Sequence, residues 1–328
     1  MTGSKSRVRW IDIARGVGIL LVVYAHAARG LVLAHDLPAT GWPIILDTII
    51  YAFHMPLFFL LAGLHLERSV ARGRKAFIID KLQTIAWPYF LWSLVQGGLK
   101  LTVSPFTNHP IAVADLIAIP VAPIEQFWFL YVLFFCQLFV ALALPRRWLL
   151  AVLTLVATLV WVWSADGSIF FRILHYLPYV VVGLFAPPVL ASLAERPGVQ
   201  WGVSLGVWLA FAFLIQPILN PVQPAAIIYA LALLGSIGTI AISMLLARVG
   251  PLLGWLEYLG RLSMPIFLMH TIFSAAVRAA LEVAGFRDPA LMLALVTAAG
   301  ILLPVLAYRI AAAMNLTRLL GFGASVMR

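Results

Sequence analysis

Charged residues are scarce in this sequence, and their scarcity excludes the most common class of protein. Only 10% of the 328 residues are charged, whereas an ordinary soluble domain carries about a quarter. Hydrophobic residues make up 63% of the chain, and the mean hydropathy is +1.04. The composition leaves little room for a soluble domain and predicts an integral membrane protein.

Cysteine is almost absent, and so are the spacings that mark metal sites and serine enzymes. The single cysteine, Cys136, lies in an apolar run, which excludes a disulfide within the chain and a cysteine-ligated metal site. No pair of histidines has zinc spacing such as H-E-x-x-H, and no G-x-S-x-G elbow occurs. We therefore expect no bound metal and no covalent serine catalysis.

Acidic residues are few, at 12 against 22 lysines and arginines, so the formal net charge is +10. A charge of this sign often marks nucleic-acid binding. Here, however, the basic residues lie between apolar stretches rather than on one polar surface, as in a protein oriented in a bilayer. We expect the surroundings of these cations to be a lipid bilayer and not nucleic acid.

Apolar stretches that approach the length of a membrane span recur along the whole chain. A spanning helix needs about twenty apolar residues. Ten stretches are candidates: 10–34, 42–66, 82–103, 124–144, 148–164, 171–190, 200–218, 225–247, 262–283 and 290–312. No connection between them is long enough for another domain. We predict an all-α polytopic membrane protein of about ten transmembrane helices, in which residues 1–328 form one domain without a soluble extracytoplasmic part.

The lysines and arginines indicate how these helices are oriented. With the N-terminus in the cytoplasm, 16 of the 22 basic residues fall on the cytoplasmic side and 5 on the outer side, while Arg15 lies within a span. This is the positive-inside bias of multi-pass proteins. It holds at every connection except the short one near Arg172. We therefore expect both termini in the cytoplasm and location in a bacterial-type inner (cytoplasmic) membrane.

The first apolar stretch, WIDIARGVGILLVVYAHAARG, contains two ionisable residues that are costly in hydrocarbon. Arg15 and His26 are eleven residues apart, which is within roughly 20° of three full helical turns, so they share one face about 16 Å apart. Asp12 falls on the same stripe. Ionisable residues inside a membrane usually face a polar cavity and serve a function.

The second apolar stretch contains His54 near its middle, followed two residues later by Pro56. A proline leaves the carbonyl of an earlier turn without its donor, and in hydrocarbon that carbonyl needs a partner or a wet cavity. Since consecutive spans are antiparallel, His26 and His54 are expected at similar depth. A histidine that only bonds a neighbouring helix, with Pro56 as a simple kink, is the alternative interpretation.

Three further groups of residues allow both a structural and a functional interpretation. The loop ERSVARGRKAFIIDK is typical of topology anchoring and contact with anionic lipid, but its cations also suit a phosphorylated donor: Arg68, Arg72, Arg74 and Lys75. Trp128 belongs either to an interfacial aromatic belt or to the wall of a substrate groove. Arg261, Ser263 and His270 lie along the ninth span, where they either pack or bind substrate.

These segments together resemble the acyltransferase 3 family of membrane O-acyltransferases, in particular its fucose 4-O-acetylase-like branch. The family mark is a basic residue and a histidine separated by ten residues in the first helix, here Arg15 and His26. FHMPLFFLLAG (53–63), FWFLYVLFF (127–135) and LGRLSMPIFLMH (259–270) are similar to the branch and stand in the expected order. The resemblance implies an acyl-CoA donor, by default acetyl-CoA, with no bound cofactor. It also implies a carbohydrate or lipid-linked sugar as the acceptor.

For such a reaction we predict His26 as the general base, because histidine is the side chain that titrates near neutral pH. Arg15 would hold a phosphate or the pantetheine end of the donor, and Asp12 would orient Arg15. His54 would polarise the thioester carbonyl or relay a proton. The predicted substrate-binding residues are Asp12, Trp128, Arg261, Ser263 and His270, and the predicted donor-phosphate residues are Arg68, Arg72, Arg74 and Lys75.

Two other functions fit the same sequence. A transporter or flippase for a polar or lipid-linked substrate also needs many spans, intramembrane charges and a broken helix. A scaffold subunit of a surface-polymer complex would tolerate loss of both Arg15 and His26. Formation of new ester bonds distinguishes the acyltransferase from both.

Overall fold

The protein is described here by a computed structural model covering residues 8–102, 111–164, 167–215 and 225–323. Helices make up 83% of the structure, and the described residues contain no strand. The helices of the first half are α1 (Arg9–Leu33), α2 (Trp42–Tyr51), α3 (His54–Gly63), α4 (Leu66–Val70), α5 (Arg74–Lys81), a π-helix (Leu82–Ala86), α6 (Trp87–Thr102), α7 (Val113–Ala118), a 3-10 helix (Glu125–Phe127) and α8 (Trp128–Ala143). Those of the second half are α9 (Arg147–Ser164), α10 (Ile169–Phe185), α11 (Pro187–Ala194), α12 (Pro197–Ile215), α13 (Ala225–Leu246), a 3-10 helix (Gly250–Leu253), α14 (Gly254–Arg261), α15 (Ser263–Val283) and α16 (Pro289–Ala313). The predicted all-α class is confirmed.

Seven helical segments of the described chain are long and apolar enough to cross a membrane, and each coincides with a predicted span. They are Arg9–Leu33, Trp42–Gly63, Glu125–Ala143, Pro197–Ile215, Ala226–Leu246, Ser263–Val283 and Pro289–Ala313. The protein is therefore a multi-pass membrane protein. The count of ten and the cytoplasmic location of both termini stay predictions.

The other three predicted spans, 82–103, 148–164 and 171–190, are helical but shorter or bent. After the π-helix, α6 has 16 residues, and the apolar part of α9 ends at Trp163. α10 and α11 meet at an angle of 56°. The bend falls where Pro187 begins α11, because proline has no N–H to continue the hydrogen bonds of the preceding helix.

Both ends of the described chain lie at one end of the helix bundle, which we call the near end. At the start of α1, Arg9 donates from Nε to Oε2 of Glu257 in α14 at 3.0 Å. Near the end of α16, Arg309 donates to the hydroxyl of Tyr258, also in α14, at 3.1 Å. The opposite end, where α1 stops at Leu33, is called the far end.

Glycines bring α1 and α14 into backbone contact. A Cβ atom on Gly260 would overlap the carbonyl oxygen of Asp12, and one on Gly16 would overlap that of Leu256. Small residues permit this close approach between membrane helices. The contact holds the first turns of α1, which carry Asp12 and Arg15, against α14.

The second predicted span is broken into α2 and α3. α2 ends at Tyr51 and α3 begins at His54, with a turn at Ala52 and Phe53 between them. Irregular backbone within a membrane protein needs hydrogen-bonding partners from the protein or from a wet cavity. At the break, the carbonyl oxygen of Ile50 accepts from the backbone N–H of Phe53 at 3.2 Å and lies 2.8 Å from Nδ1 of His54, while the carbonyl oxygen of Phe53 accepts from the N–H of Leu57 at 3.0 Å. The protein itself therefore supplies partners for these backbone groups, in the middle of an apolar segment.

Candidate functional site

α1 presents the ionisable residues of the first span on one uninterrupted helix. Nη1 of Arg15 lies 3.9 Å from Oδ1 of Asp12, with 32% of the arginine side chain exposed and the carboxylate buried. His26 is partly exposed. Because the helix is continuous, His26 follows Arg15 on the same face about 16 Å further along the axis.

A cleft of about 400 Å³ opens at the near end beside Arg15. Its charged and polar lining comes from α1, from the segment around α4 and from the end of α5: Asp12, Arg15, His65, Arg68, Ser69, Arg72, Asp80 and Lys81. Four permanent cations against two carboxylates leave a net charge of +2 without His65. Such a cleft suits a phosphorylated ligand, because guanidinium and ammonium groups form charge-assisted hydrogen bonds with phosphate.

The structure brings two of the four predicted donor-phosphate residues to this cleft. Arg68 and Arg72 line it, whereas Arg74 and Lys75 are exposed outside the lining. A turn separates the two pairs of residues: Gly73, which precedes α5, has a φ of +101° that favours glycine.

Sequence reasoning missed three residues of the cleft, His65, Asp80 and Lys81. Asp80 pairs with Nη2 of Arg72 at 3.5 Å and with Nζ of Lys81 at 3.1 Å, so the carboxylate ties α5 to the loop after α4. The signal for the last two was the acidic and basic pair that closes the loop ERSVARGRKAFIIDK. A single Asp-Lys pair is common on any helix surface, so it does not by itself mark a site.

His65 lies two residues beyond the apolar segment Trp42–Gly63 and faces the cleft. Partial burial lowers the pKa of His65, and the neighbouring cations Arg15, Arg68 and Lys81 lower it further. The imidazole is therefore neutral at neutral pH while the cleft holds no anion. A bound phosphate would oppose this effect, because an anion stabilises the protonated ring.

Deeper in the bundle, the structure brings three histidines into one region. The rings of His26 and His270 meet edge to face with centroids 4.9 Å apart. His54 lies within electrostatic range of His26 and is almost wholly buried. Sequence spacing placed His26 and His54 at similar depth but gave no reason to place His270 against them.

All three imidazoles use Nδ1 in the same way. Nδ1 lies 2.9 Å from the carbonyl oxygen of Val22 in His26, 2.8 Å from that of Ile50 in His54, and 2.8 Å from that of Phe267 in His270. A carbonyl only accepts, so we assign the proton of each neutral ring to Nδ1. Each Nε2 then carries a lone pair, and Nε2 of His270 is buried with no partner in the described part of the chain.

A network of amides and a hydroxyl lies next to His270 on its far-end side. Gln96 and Gln126 are buried, and the amide of Gln126 donates to Oε1 of Gln96 at 2.8 Å and to Oγ1 of Thr271 at 2.9 Å. Thr271 in turn donates to Gln96 at 2.8 Å. Sequence reasoning missed these residues, since three polar side chains on α6, the 3-10 helix before α8 and α15 share no local pattern.

An ion pair lies on the far-end side of His54. Nε of Arg29 donates to Oδ2 of Asp47 at 2.9 Å, and the guanidinium lies 3.9 Å from the ring centroid of Tyr51. The rings of Tyr51 and His54 are 5.4 Å apart. The ring of Tyr51 therefore links the Arg29–Asp47 ion pair to His54.

Trp128 begins α8 at the far end and is partly exposed. Its ring lies 5.3 Å from the ring of Tyr176 and 5.0 Å from the guanidinium carbon of Arg172. The indole is therefore held against α10, which favours a groove wall over a residue that only anchors the bundle at the membrane interface.

The structure separates Arg261 and Ser263 from the histidines. Nη2 of Arg261 pairs with Glu257 at 3.4 Å, at the near end where Glu257 also binds Arg9. Ser263 is the first residue of α15, about 10 Å below His270 along the helix axis. Of the predicted residues on this stretch, only His270 lies beside His26.

The described residues contain no group of three or more His, Cys, Asp or Glu side chains arranged to hold a metal ion. Cys136 is buried, and its thiol lies 3.5 Å from the carbonyl oxygen of Ile173.

Comparison with known proteins identifies the family. The model of the acyltransferase 3 family, described as an acyltransferase domain, matches residues 8–309. No curated protein and no solved structure matches the chain. The match includes Arg15, the three histidines and the basic loop after α3. The chain therefore belongs to the acyltransferase 3 family of membrane acyltransferases.

Proposed function

We propose that the protein is an O-acyltransferase that moves an acyl group, by default acetyl, from acyl-CoA to a hydroxyl of a surface or lipid-linked carbohydrate. The observation that carries this proposal is the arrangement along α1, where a cationic cleft lies beside Arg15 and the imidazole of His26 follows on the same face about 16 Å further along the helix. The fucose 4-O-acetylase-like branch and a bacterial-type inner membrane are part of the proposal.

The donor binds with its phosphates in the near-end cleft and its thioester deeper in the bundle. Arg15, Arg68, Arg72 and Lys81 supply the charge that phosphates require. The pantetheine arm is long and thin, so it can follow α1 from Arg15 toward His26 while the nucleotide stays at the near end. The positive-inside bias places that end in the cytoplasm, where acyl-CoA is made.

His26 acts as the general base through Nε2. It takes the proton of the acceptor hydroxyl, the oxygen attacks the thioester carbonyl carbon, and the carbon–sulfur bond breaks as the CoA thiolate leaves. The proton on His26 then neutralises the thiolate, so atoms and charge balance. The bond from Nδ1 to the carbonyl of Val22 keeps the lone pair on Nε2.

The hydrogen bond made by Nδ1 also limits which role His54 can have. Its Nδ1 proton is committed to the carbonyl of Ile50, so neutral His54 has no proton with which to polarise a thioester. Relay of a proton through Nε2 is therefore the role that the hydrogen bonding favours. The ring of His270 is in edge-to-face contact with that of His26 and provides a second lone pair beside it.

The experiment is transfer of radiolabelled acetyl from acetyl-CoA to glycan and glycolipid extracts by the purified protein in nanodiscs. We expect His26→Ala to lower the rate about 100-fold or more, because a general base typically contributes that much. His35→Asn is the matched control, since His35 is exposed at the far end with a φ of +64° that asparagine also adopts. Near-normal transfer by His26→Ala would remove this residue from the mechanism.

A transporter or flippase is the second candidate, and the break between α2 and α3 favours it. Discontinuous helices with a polar segment at mid-bundle are the usual binding sites of transporters. Translocation of a glycolipid without new ester bonds, unaffected by His26→Ala, would support this function instead.

A further inference from the structure

Arg172 differs from the other cations of the far end in its partners. Four of these cations are satisfied by the protein within the described chain: Arg29 by Asp47, Lys100 by Glu125, Arg278 by Glu282 and Asp36, and Arg287 by the carbonyl of Phe286. Within the described residues, the side chain of Arg172 has no carboxylate within 4.0 Å and no hydrogen bond, and its guanidinium lies over the ring of Trp128.

The position of Arg172 also opposes the charge bias of the chain. It lies one turn into α10, at the far end, which the distribution of lysine and arginine places outside the cytoplasm. The other four far-end cations also lie on this side, but the charge of each is balanced by an acid or accepted by a carbonyl of the protein. The guanidinium of Arg172, which has no acid or carbonyl partner in the described part of the chain, is therefore available to an external ligand.

Trp128 holds the guanidinium in place. A distance of 5.0 Å from the guanidinium carbon to the ring centroid is within the range of a cation–π contact. Such a contact uses the attraction of the ring face and leaves the N–H donors available to a ligand. Arg172 is partly exposed, so a ligand can reach these donors.

Aromatic rings pack behind Trp128 on the side of α3. Tyr176, one turn further along α10, lies against Trp128 and stacks on Phe59 with centroids 4.4 Å apart and planes 15° apart, and both of these rings are buried. The start of α8 is also close to the histidines, because Gln126, two residues before Trp128, donates to Oγ1 of Thr271, which follows His270. A ligand bound at Arg172 therefore lies on the far-end side of the proposed reaction centre.

We propose that Arg172 and Trp128 form an acceptor subsite for a carbohydrate that carries an anionic oxygen group close to the acylated sugar. The planar guanidinium matches a carboxylate or a phosphate with two parallel hydrogen bonds. A uronic acid and a sugar phosphate both supply this chemistry. This inference rests on the proposed acyltransferase function. It adds that the acceptor is anionic and that Arg172 binds its anionic group.

The test uses the purified full-length protein in a phosphate-free detergent with labelled acetyl-CoA. Glycan and glycolipid extract of the host cell is separated by anion exchange into neutral and anionic fractions, and each fraction is offered as acceptor. We expect label in the anionic fraction. Label confined to the neutral fraction would overturn the subsite while leaving the acyltransferase proposal intact.

The variants separate binding from structure. Arg172→Gln is expected to raise the KM for the anionic fraction about 10- to 100-fold, because a hydrogen bond to a charged group is lost, with kcat little changed. Arg172→Lys keeps the charge but loses the two parallel N–H donors of the guanidinium, so we expect a smaller rise in KM. Arg287→Gln removes a far-end charge elsewhere and should leave the KM unchanged. Equal KM values for Arg172→Gln and Arg287→Gln would overturn the proposal.

A comparison between nanodiscs and detergent identifies the source of the anion that binds Arg172. If the partner of Arg172 is a lipid headgroup phosphate, Arg172→Gln will differ from the parent in nanodiscs but not in the detergent, which overturns the acceptor subsite. A difference that persists in detergent supports it. If the parent protein labels neither fraction, the acyltransferase proposal itself fails and the subsite fails with it.

Discussion

A single hydrogen bond per ring decides what the histidines of this bundle can do. In each ring a backbone carbonyl accepts from Nδ1, which leaves Nε2 as an acceptor in the neutral form. The same bond that satisfies an otherwise costly donor in an apolar bundle therefore prepares a base. This is why His26 suits proton abstraction and why neutral His54 does not suit carbonyl polarisation.

His65 predicts a pH dependence at the residue scale. Its pKa is lowered in the folded protein, so below about pH 6.5 the unfolded chain binds the proton more readily. The contribution of His65 to stability is therefore present above about pH 6.5 and is lost as the pH falls toward the lower, folded-state pKa. We expect the thermal midpoint of the protein without donor to fall between pH 7.5 and 5.5, and less so in His65→Gln.

The measurement is thermal unfolding in detergent at both pH values, with and without coenzyme A. A phosphate in the cleft stabilises protonated His65, so coenzyme A should reduce the acid loss in the parent protein more than in His65→Gln. Identical pH dependence in the two proteins would contradict the placement of His65 in an anion site.

At the scale of whole helices, the contact between α1 and α14 positions the cleft. Gly260 meets the backbone of α1 at Asp12, so any side chain there must push the helices apart. Arg9 and Arg261 both pair with Glu257 around this contact. The geometry of Arg15 therefore depends on a residue that carries no chemistry of its own.

Gly260→Ala is expected to destabilise the protein by about 1–3 kcal/mol, the usual cost of overpacking a close contact. It should also lower donor affinity, because α1 shifts against the wall of the cleft. Gly202→Ala in α12 is the matched control, since a Cβ there meets nothing within 4 Å and alanine favours helix. Thermal midpoints and acetyl-CoA KM values check both variants; equal midpoints would show that α1 and α14 tolerate separation.

For the molecule as a whole, the positive-inside bias predicts that the near end faces the cytoplasm. Cys136 is buried in the core, so Cys136→Ala gives a background for single-cysteine labelling. In that background, we expect Arg287→Cys to react with an impermeant maleimide in intact cells. Lys75→Cys, at the near end, should react only after the membrane is opened. The reverse pattern would place the donor cleft outside the cytoplasm and contradict the donor proposal.

The sequence by itself determined the features that depend on local spacing. Hydropathy places the apolar helices, because burial in lipid needs a run of contiguous residues. Helical periodicity places Asp12, Arg15 and His26 on one face of α1, because 3.6 residues per turn is a property of the backbone alone. The motifs that resemble the acyltransferase 3 family lie within such segments, so the sequence alone also indicates the family.

Only the tertiary structure decided which segments meet. It placed His270 against His26, joined Gln96, Gln126 and Thr271 across three helices, and left Arg261 at the near end. These outcomes depend on packing between residues up to 244 positions apart, as His26 and His270 are. Local propensity carries no information about such pairs, because side chains from different helices meet only when the whole bundle has packed.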